Sequence, residues 1–262
     1  MGYRILYSCV SHPGKVRRIN QDNYLCGGQY MPSDGSGSDK LLQGVCLPPA
    51  NPLFGVFDGM GGEQYGEVAS FIAARRASRL RIPRDAGEVL PYFCQKANRE
   101  ICDFAAKNGV SSTGTTAAML LFTKKRIHLC NIGDSKIFRL RKGKLEQLSV
   151  DHLCVAPFGA KPALSQNLGL PPEESVIEPF FLKLGYTVGD LYLLCSDGLT
   201  DMVPTEEIEK TLSSLPLKSA AQRLLEQALE GGGKDNTTVM LCKIEKEPWR
   251  LFHRKPLEKR EE

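Results

Sequence analysis

The sequence lacks most of the features that would place it outside the ordinary folded, soluble class. It has one Trp and four His in 262 residues, and its nine cysteines include no Cys-x-x-Cys pair. An odd set without that spacing argues against a disulfide framework or a structural zinc site and predicts a reducing compartment, the cytoplasm. No stretch approaches the ~20 apolar residues that span a bilayer. Residues 1–7 hold no basic segment leading into an apolar one, so neither a membrane span nor a secretion signal is expected. A large excess of either charge is missing too: 34 Lys+Arg face 30 Asp+Glu, a formal +4. Nucleic-acid binding rests on a concentrated basic footprint, which this balance does not supply. Two local clusters, Arg75, Arg76, Arg79, Arg81 and Arg84 and then Lys124, Lys125 and Arg126, read as solvated surface, with steering of anionic substrates as the alternative. No internal repeat is present.

What remains suffices for one large core. At 42% hydrophobic and 24% charged residues, a chain of this length buries roughly 70–75% of the surface its unfolded form exposes. The compact run Leu53–Phe57 predicts a strand, stopped by a glycine-rich Asp58-Gly59-Met60-Gly61-Gly62. Apolar residues at three- and four-residue steps predict a helix through Val68–Ala77 and a second from about Glu88 to Asn108-Gly109. Short apolar runs at 117–122, 127–132, 136–140 and 145–150 predict a meander, with further strands at 180–184, 191–195 and 237–244. Helices are expected at about 205–214 and 217–230, the second leaving through Gly231-Gly232-Gly233. Residues 31–52, dense in Pro, Gly, Ser and Asp, read as an irregular surface loop, and the Pro-containing segment 154–179 as a long flap. Strands come in bunches with helices inserted. That pattern predicts an α+β fold, an antiparallel sheet or sandwich faced by helices, rather than a parallel sheet.

Four aspartates stand where strand-like runs begin or end: Asp58, Asp134, Asp197 and Asp235. Each taken alone reads as a turn residue. Gathered at one sheet edge they would repel one another unless a cation sat among them, and oxygen-only donors favour Mg2+ or Mn2+ over Zn2+.

Six segments in order carry a family likeness: Arg17-Arg18-Ile19-Asn20-Gln21-Asp22, Val56 through Gly62, Gly114-Thr115-Thr116, Asn131 through Ser135, Cys195 through Asp201, and Lys234 through Val239. Together they resemble the metal-dependent protein serine/threonine phosphatases of the 2C type, most closely the bacterial branch, over about residues 3–244. The resemblance implies a β-sandwich of two antiparallel sheets flanked by α-helices, with metals in a cleft at one end. It implies hydrolysis of phosphoserine and phosphothreonine in proteins by a water shared between two Mn2+ or Mg2+ ions. By the same likeness Asp58 bridges the two ions, Asp197 and Asp235 complete one site, the Gly59 carbonyl serves the other, and Asp22 supports the cluster from behind. Arg17 grips phosphate oxygens with its planar fork, with Arg18 as the competitor for that role. Asp134, Asp197 and Asp201 match the positions that hold a third, looser ion in bacterial relatives. The implied partners are phosphoproteins and a serine/threonine kinase pathway, with no nucleic acid and no membrane, and the implied state is a monomer. The division expected is a catalytic domain over 1–246 and a charged tail over 247–262.

The pattern also has departures. Met60 stands where many eukaryotic relatives carry a His that protonates the leaving alcohol, so the proton must come from water or elsewhere. Gln21 replaces a Glu beside the second metal, and Lys136 replaces a common Arg. A cysteine phosphatase is disfavoured because Cys130 and Cys154 have Lys136 and Ala160, not Arg, six residues on. Gly231 through Lys234 is followed by Asp235 rather than Ser or Thr, which argues against a phosphate-binding loop. Cys195 reads as a buried strand cysteine and His152 as structural. The rival from another class is a catalytically silent relative that binds phosphoproteins. The intact Asp58, Asp197, Asp235 and Arg17 weigh against it.

Overall fold

The computed structural model describes residues 3–47, 50–60, 65–83, 85–124, 126–157, 161–173 and 175–247. Of the tail expected over 247–262, all but Glu247 lies outside the described residues, as do Gly61, Gly62, Arg84 and Lys125. In chain order the elements are β1 (Tyr3–His12), β2 (Asp22–Leu25), β3 (Ser38–Cys46), β4 (Leu53–Met60), α1 (Gly66–Ser78), α2 (Val89–Asn108), β5 (Gly114–Thr115) and β6 (Ala117–Phe122). There follow β7 (Ile127–Ile132), β8 (Lys136–Arg141), β9 (Lys144–Gln147), β10 (Phe180–Leu184), β11 (Leu191–Cys195), α3 (Asp197–Thr200), α4 (Thr205–Ser214), α5 (Leu217–Glu230) and β12 (Thr237–Lys246).

Two antiparallel sheets form, one in the order β3-β1-β12-β11-β8-β9 and the other β10-β7-β6-β4-β2, with β5 paired to β4. The alternation of side chains along the central strands explains the layering. In β6, Ala118, Leu120 and Phe122 enter a core shared with Ile5, Tyr192, Leu194 and Met240 of the opposite sheet. Their neighbours Ala117, Met119 and Leu121 pack instead with Ala73 and Phe93 of α1 and α2. β12 does the same on the other side, sending Met240 and Cys242 inward and Val239 and Leu241 toward Leu224 and Ala228 of α5. A strand buried on both faces reads as a continuous apolar run, which is why these segments stand out in the sequence. The result is helices, sheet, sheet, helices, the architecture expected.

The helices start and stop for local reasons. Gly109, at φ 65, closes α2 in the left-handed conformation that suits glycine. α4 and α5 each begin directly after a proline, Pro204 and Pro216, and Gly232 and Gly233 take positive φ beyond the end of α5. Gly231 through Lys234 is therefore a helix exit, as expected.

One expectation needs correction. The segment 31–52 is not wholly irregular: β3 occupies Ser38–Cys46 within it and pairs with β1 at the sheet edge. Its density of turn residues belongs to the connections on either side. β1, β2 and the short α3 went unanticipated. β1 carries buried polar residues, Ser8 and Ser11, that interrupt its apolar signal.

Candidate active site

The connections between strands bring the assigned carboxylates to one end of the sandwich. Asp58 lies in β4 directly across the ladder from Asp22, the first residue of β2. Asp134 occupies the turn from β7 to β8, where the chain passes from one sheet to the other. Asp197 opens α3 after β11, and Asp235 precedes β12, the neighbour of β11. Asp58, Asp134, Asp197 and Asp235 line a cleft of about 260 Å³ together with Arg17, Gln21, Gly59, Met60, Thr116 and Lys161.

Close backbone approach holds this end together. A Cβ on Gly59 would meet the carbonyl oxygens of Gly66 and Gln21, and one on Gly198 would meet that of Asn236. Thr116 Oγ1 accepts a 3.0 Å bond from the Asp58 amide and pairs with Ser135 Oγ at 2.7 Å. Asn236 fastens the loop that carries Arg17: its side-chain amide donates to the carbonyls of Pro13 and Ile19, both at 2.9 Å, and its Oδ1 accepts from the Gln21 amide at 2.8 Å. Lys136 bonds Asp151 at 2.5 Å and the Asp134 carbonyl at 3.3 Å, bracing the turn.

Asp22 stands behind the cleft rather than in it. Its Oδ2 accepts from Ser196 Oγ at 2.7 Å and Thr238 Oγ1 at 2.6 Å, tying one sheet to the other, while its Oδ1 is buried without a hydrogen-bond partner. Burial pushes its pKa up to about 7; the two hydroxyl bonds oppose this and the charges of Asp197 and Asp235 add to it. Burial, then the negative charges of Asp22, Asp197, Asp134 and Asp235, hold Asp58 well above the usual carboxylate range. Asp134 is raised to about 6, by burial and by Asp197, against the lysines 136 and 161. Such an assembly is unfavourable on its own terms and calls for positive charge.

Two side chains supply some of it. Arg17 Nη2 lies 2.8 Å from Asp235 Oδ2. Lys161 Nζ lies 2.6 Å from Asp197 Oδ2 and 2.8 Å from Asp201 Oδ2. Asp201 thus sits at the rim, outside the cleft lining, and Arg18 is exposed and does not line the cleft either. As they stand, no three acidic, histidine or cysteine side chains among the described residues close on one point. The donor set nevertheless fits hard divalent cations: it is all oxygen, and its members hold one another's charge in check.

The other expectations take their places. Met60 lines the cleft where a His would offer a proton. Gln21 lines it too, its amide 3.4 Å from Glu67 Oε2. His152 is structural, bonding the Gly133 backbone through Nδ1 at 3.3 Å. Cys195 is buried on the helix side of its sheet, and burial pushes its thiol up to about 12. Sequence reasoning gave no role to Ser196, Thr238 and Asn236, though each adjoins or lies near an assigned aspartate. It passed over Lys161 entirely, which no local pattern marks.

Comparisons with known proteins give the family. A family model described as Protein phosphatase 2C matches residues 33–231. The serine/threonine phosphatase stp of Listeria monocytogenes is 30% identical over 251 residues, covering 87% of this chain and 91% of that protein. The serine/threonine protein phosphatase PstP of Mycobacterium tuberculosis is 30% identical over 252 residues, and there the chain spans only 45% of the relative's length. A solved structure of the PstP catalytic domain in complex with two manganese ions superposes with a TM-score of 0.76 at 30% identity, covering 93% of this chain and all of that one. With its sandwich, its aspartate-lined cleft and these relatives taken together, the chain belongs to the protein phosphatase 2C family.

Proposed function

We propose that this chain hydrolyses phosphoserine and phosphothreonine in proteins with two Mn2+ or Mg2+ ions held at the aspartate-lined cleft. The observation that carries this is the convergence of Asp58, Asp134, Asp197 and Asp235, from four separate stretches of chain, on one cleft with Arg17 at its edge. Asp58 would bridge the ions, Asp197 and Asp235 complete one site, and the Gly59 carbonyl serve the other. When bound, the ions supply Lewis-acid activation of water and neutralise phosphate charge.

The chain's own residues do the rest. Arg17, exposed and reaching the cleft through Asp235, exchanges that carboxylate for phosphate oxygens, for which a guanidinium fork is well shaped. Asp22 stays behind, keeping the two sheets in register through Ser196 and Thr238. Met60 has no proton to give, so solvent protonates the leaving serine or threonine oxygen. The catalytic unit covers 1–246 and acts in the cytoplasm as a monomer opposing a serine/threonine kinase. No helix among the described residues is long and apolar enough to cross a membrane.

Mn2+-dependent hydrolysis of p-nitrophenyl phosphate and of a phosphothreonine peptide, insensitive to okadaic-type inhibitors and abolished in Asp58→Asn, is the expected result. No turnover across Mg2+ and Mn2+ titrations would instead favour a silent phosphoprotein-binding relative. High activity on metabolites with none on the peptide would point to small-molecule phosphates.

A further inference from the structure

The position that family likeness gives to a third ion, among Asp134, Asp197 and Asp201, already faces a positive charge from the protein itself. Asp197 and Asp201 are the first residue and the C-cap of α3, four apart and so on one helix face. Lys161 Nζ contacts both, at 2.6 and 2.8 Å, and lines the cleft together with Asp134. The lysine arrives on the flap-like segment. There the limbs around Leu153 and Leu164 pair back on each other, with the Cys154 amide on the Ala163 carbonyl at 2.8 Å and the Ser165 amide on that of His152 at 2.9 Å. Lys161 stands just ahead of the returning limb.

We infer that Lys161 is a tethered cation that fills the third-ion position, so that this cleft takes two metal ions rather than three, and that the same contact holds the flap against the cleft. The inference rests on reading Asp58, Asp197 and Asp235 as metal ligands. An ammonium brings one charge and three donors, enough to satisfy one oxygen from each of two carboxylates without fixed coordination geometry. Its attachment to the flap gives it a high effective concentration that a loosely held solvated ion must compete against. At 58% side-chain exposure the lysine is not needed for folding, so it can be replaced without loss of the core.

The test is calorimetric counting of Mn2+ on the full chain, for wild type, Lys161→Met and Lys161→Arg, with hydrogen exchange of the 161–170 amides followed in parallel. Wild type and Lys161→Arg are expected to bind two ions. Lys161→Met is expected to bind a third, weaker one and to exchange its flap amides faster. Three ions on the wild type, or two on Lys161→Met, would overturn the inference while leaving the two-metal reading intact. No ion on the wild type would overturn both.

Discussion

Asp22 serves the cleft without lining it, and its chemistry gives a prediction at the scale of one residue. Its folded pKa, about 7, and that of Asp134, about 6, lie above the unfolded value of about 3.9. Between those limits the folded state binds more protons than the unfolded one, so stability falls as pH rises through that window, by up to about 1.4 kcal/mol per pH unit for each group. Metal-free protein should therefore lose Tm from pH 4 to pH 7, and Mn2+ should flatten the decline. A metal-free Tm that rises over that range would contradict the assignment. For catalysis, Arg17→Ala is expected chiefly to raise KM, roughly 10- to 100-fold if charge-assisted bonds of about 1.5–3 kcal/mol are lost. Asp197→Asn should chiefly lower kcat; steady-state kinetics showing the reverse split would refute the two roles. The aspartates of the cleft were readable in the sequence because each interrupts or bounds an apolar run. Lys161 was not, because its role exists only once the flap folds back onto α3.

At the scale of elements, the ends of β8 and β11 are clamped by an ion pair between a buried carboxylate and a half-exposed guanidinium. Arg141 reaches Asp190 through two bonds of 2.7 and 2.6 Å, and Asp190 also accepts from the Thr187 amide and from Tyr192 Oη, at 2.8 and 3.2 Å. Burial alone would raise Asp190; its bonds to Arg141 and Thr187 outweigh it and hold the pKa below the usual value. Arg141→Ala leaves that carboxylate buried without its cation, held only by Thr187 and Tyr192. The expected cost at neutral pH is about 1.5–3 kcal/mol, the range for charge-assisted hydrogen bonds, measured by urea unfolding. Because a depressed carboxylate contributes its stability above the unfolded pKa and loses it as pH falls through the folded one, the gap between variant and wild type should close in strong acid. A constant gap down to low pH would mean that packing, not charge, sets it. Legibility follows the same division between local and tertiary causes. α4 and α5 were read at their observed limits because Glu206 and Glu207 mark the start of the first and the glycines at 231–233 the end of the second. β3 was missed because it is an edge strand, regular only through its pairing with β1.

For the whole molecule, the sandwich acts as a frame that brings distant parts of the chain to one end. Asp58 belongs to the sheet that packs against α1 and α2, Asp197 follows and Asp235 precedes central strands of the sheet that packs against α4 and α5, and Asp22 joins the two through hydrogen bonds. The site is therefore a property of how the sheets meet, and its metal content reports on that meeting directly. The decisive measurement is a crystal soaked in Mn2+, with the anomalous peaks located and their ligands identified. Two peaks bridged by Asp58, one of them also bound by Asp197 and Asp235, are predicted; no peak in the cleft, or peaks that Asp58 does not touch, would contradict the account.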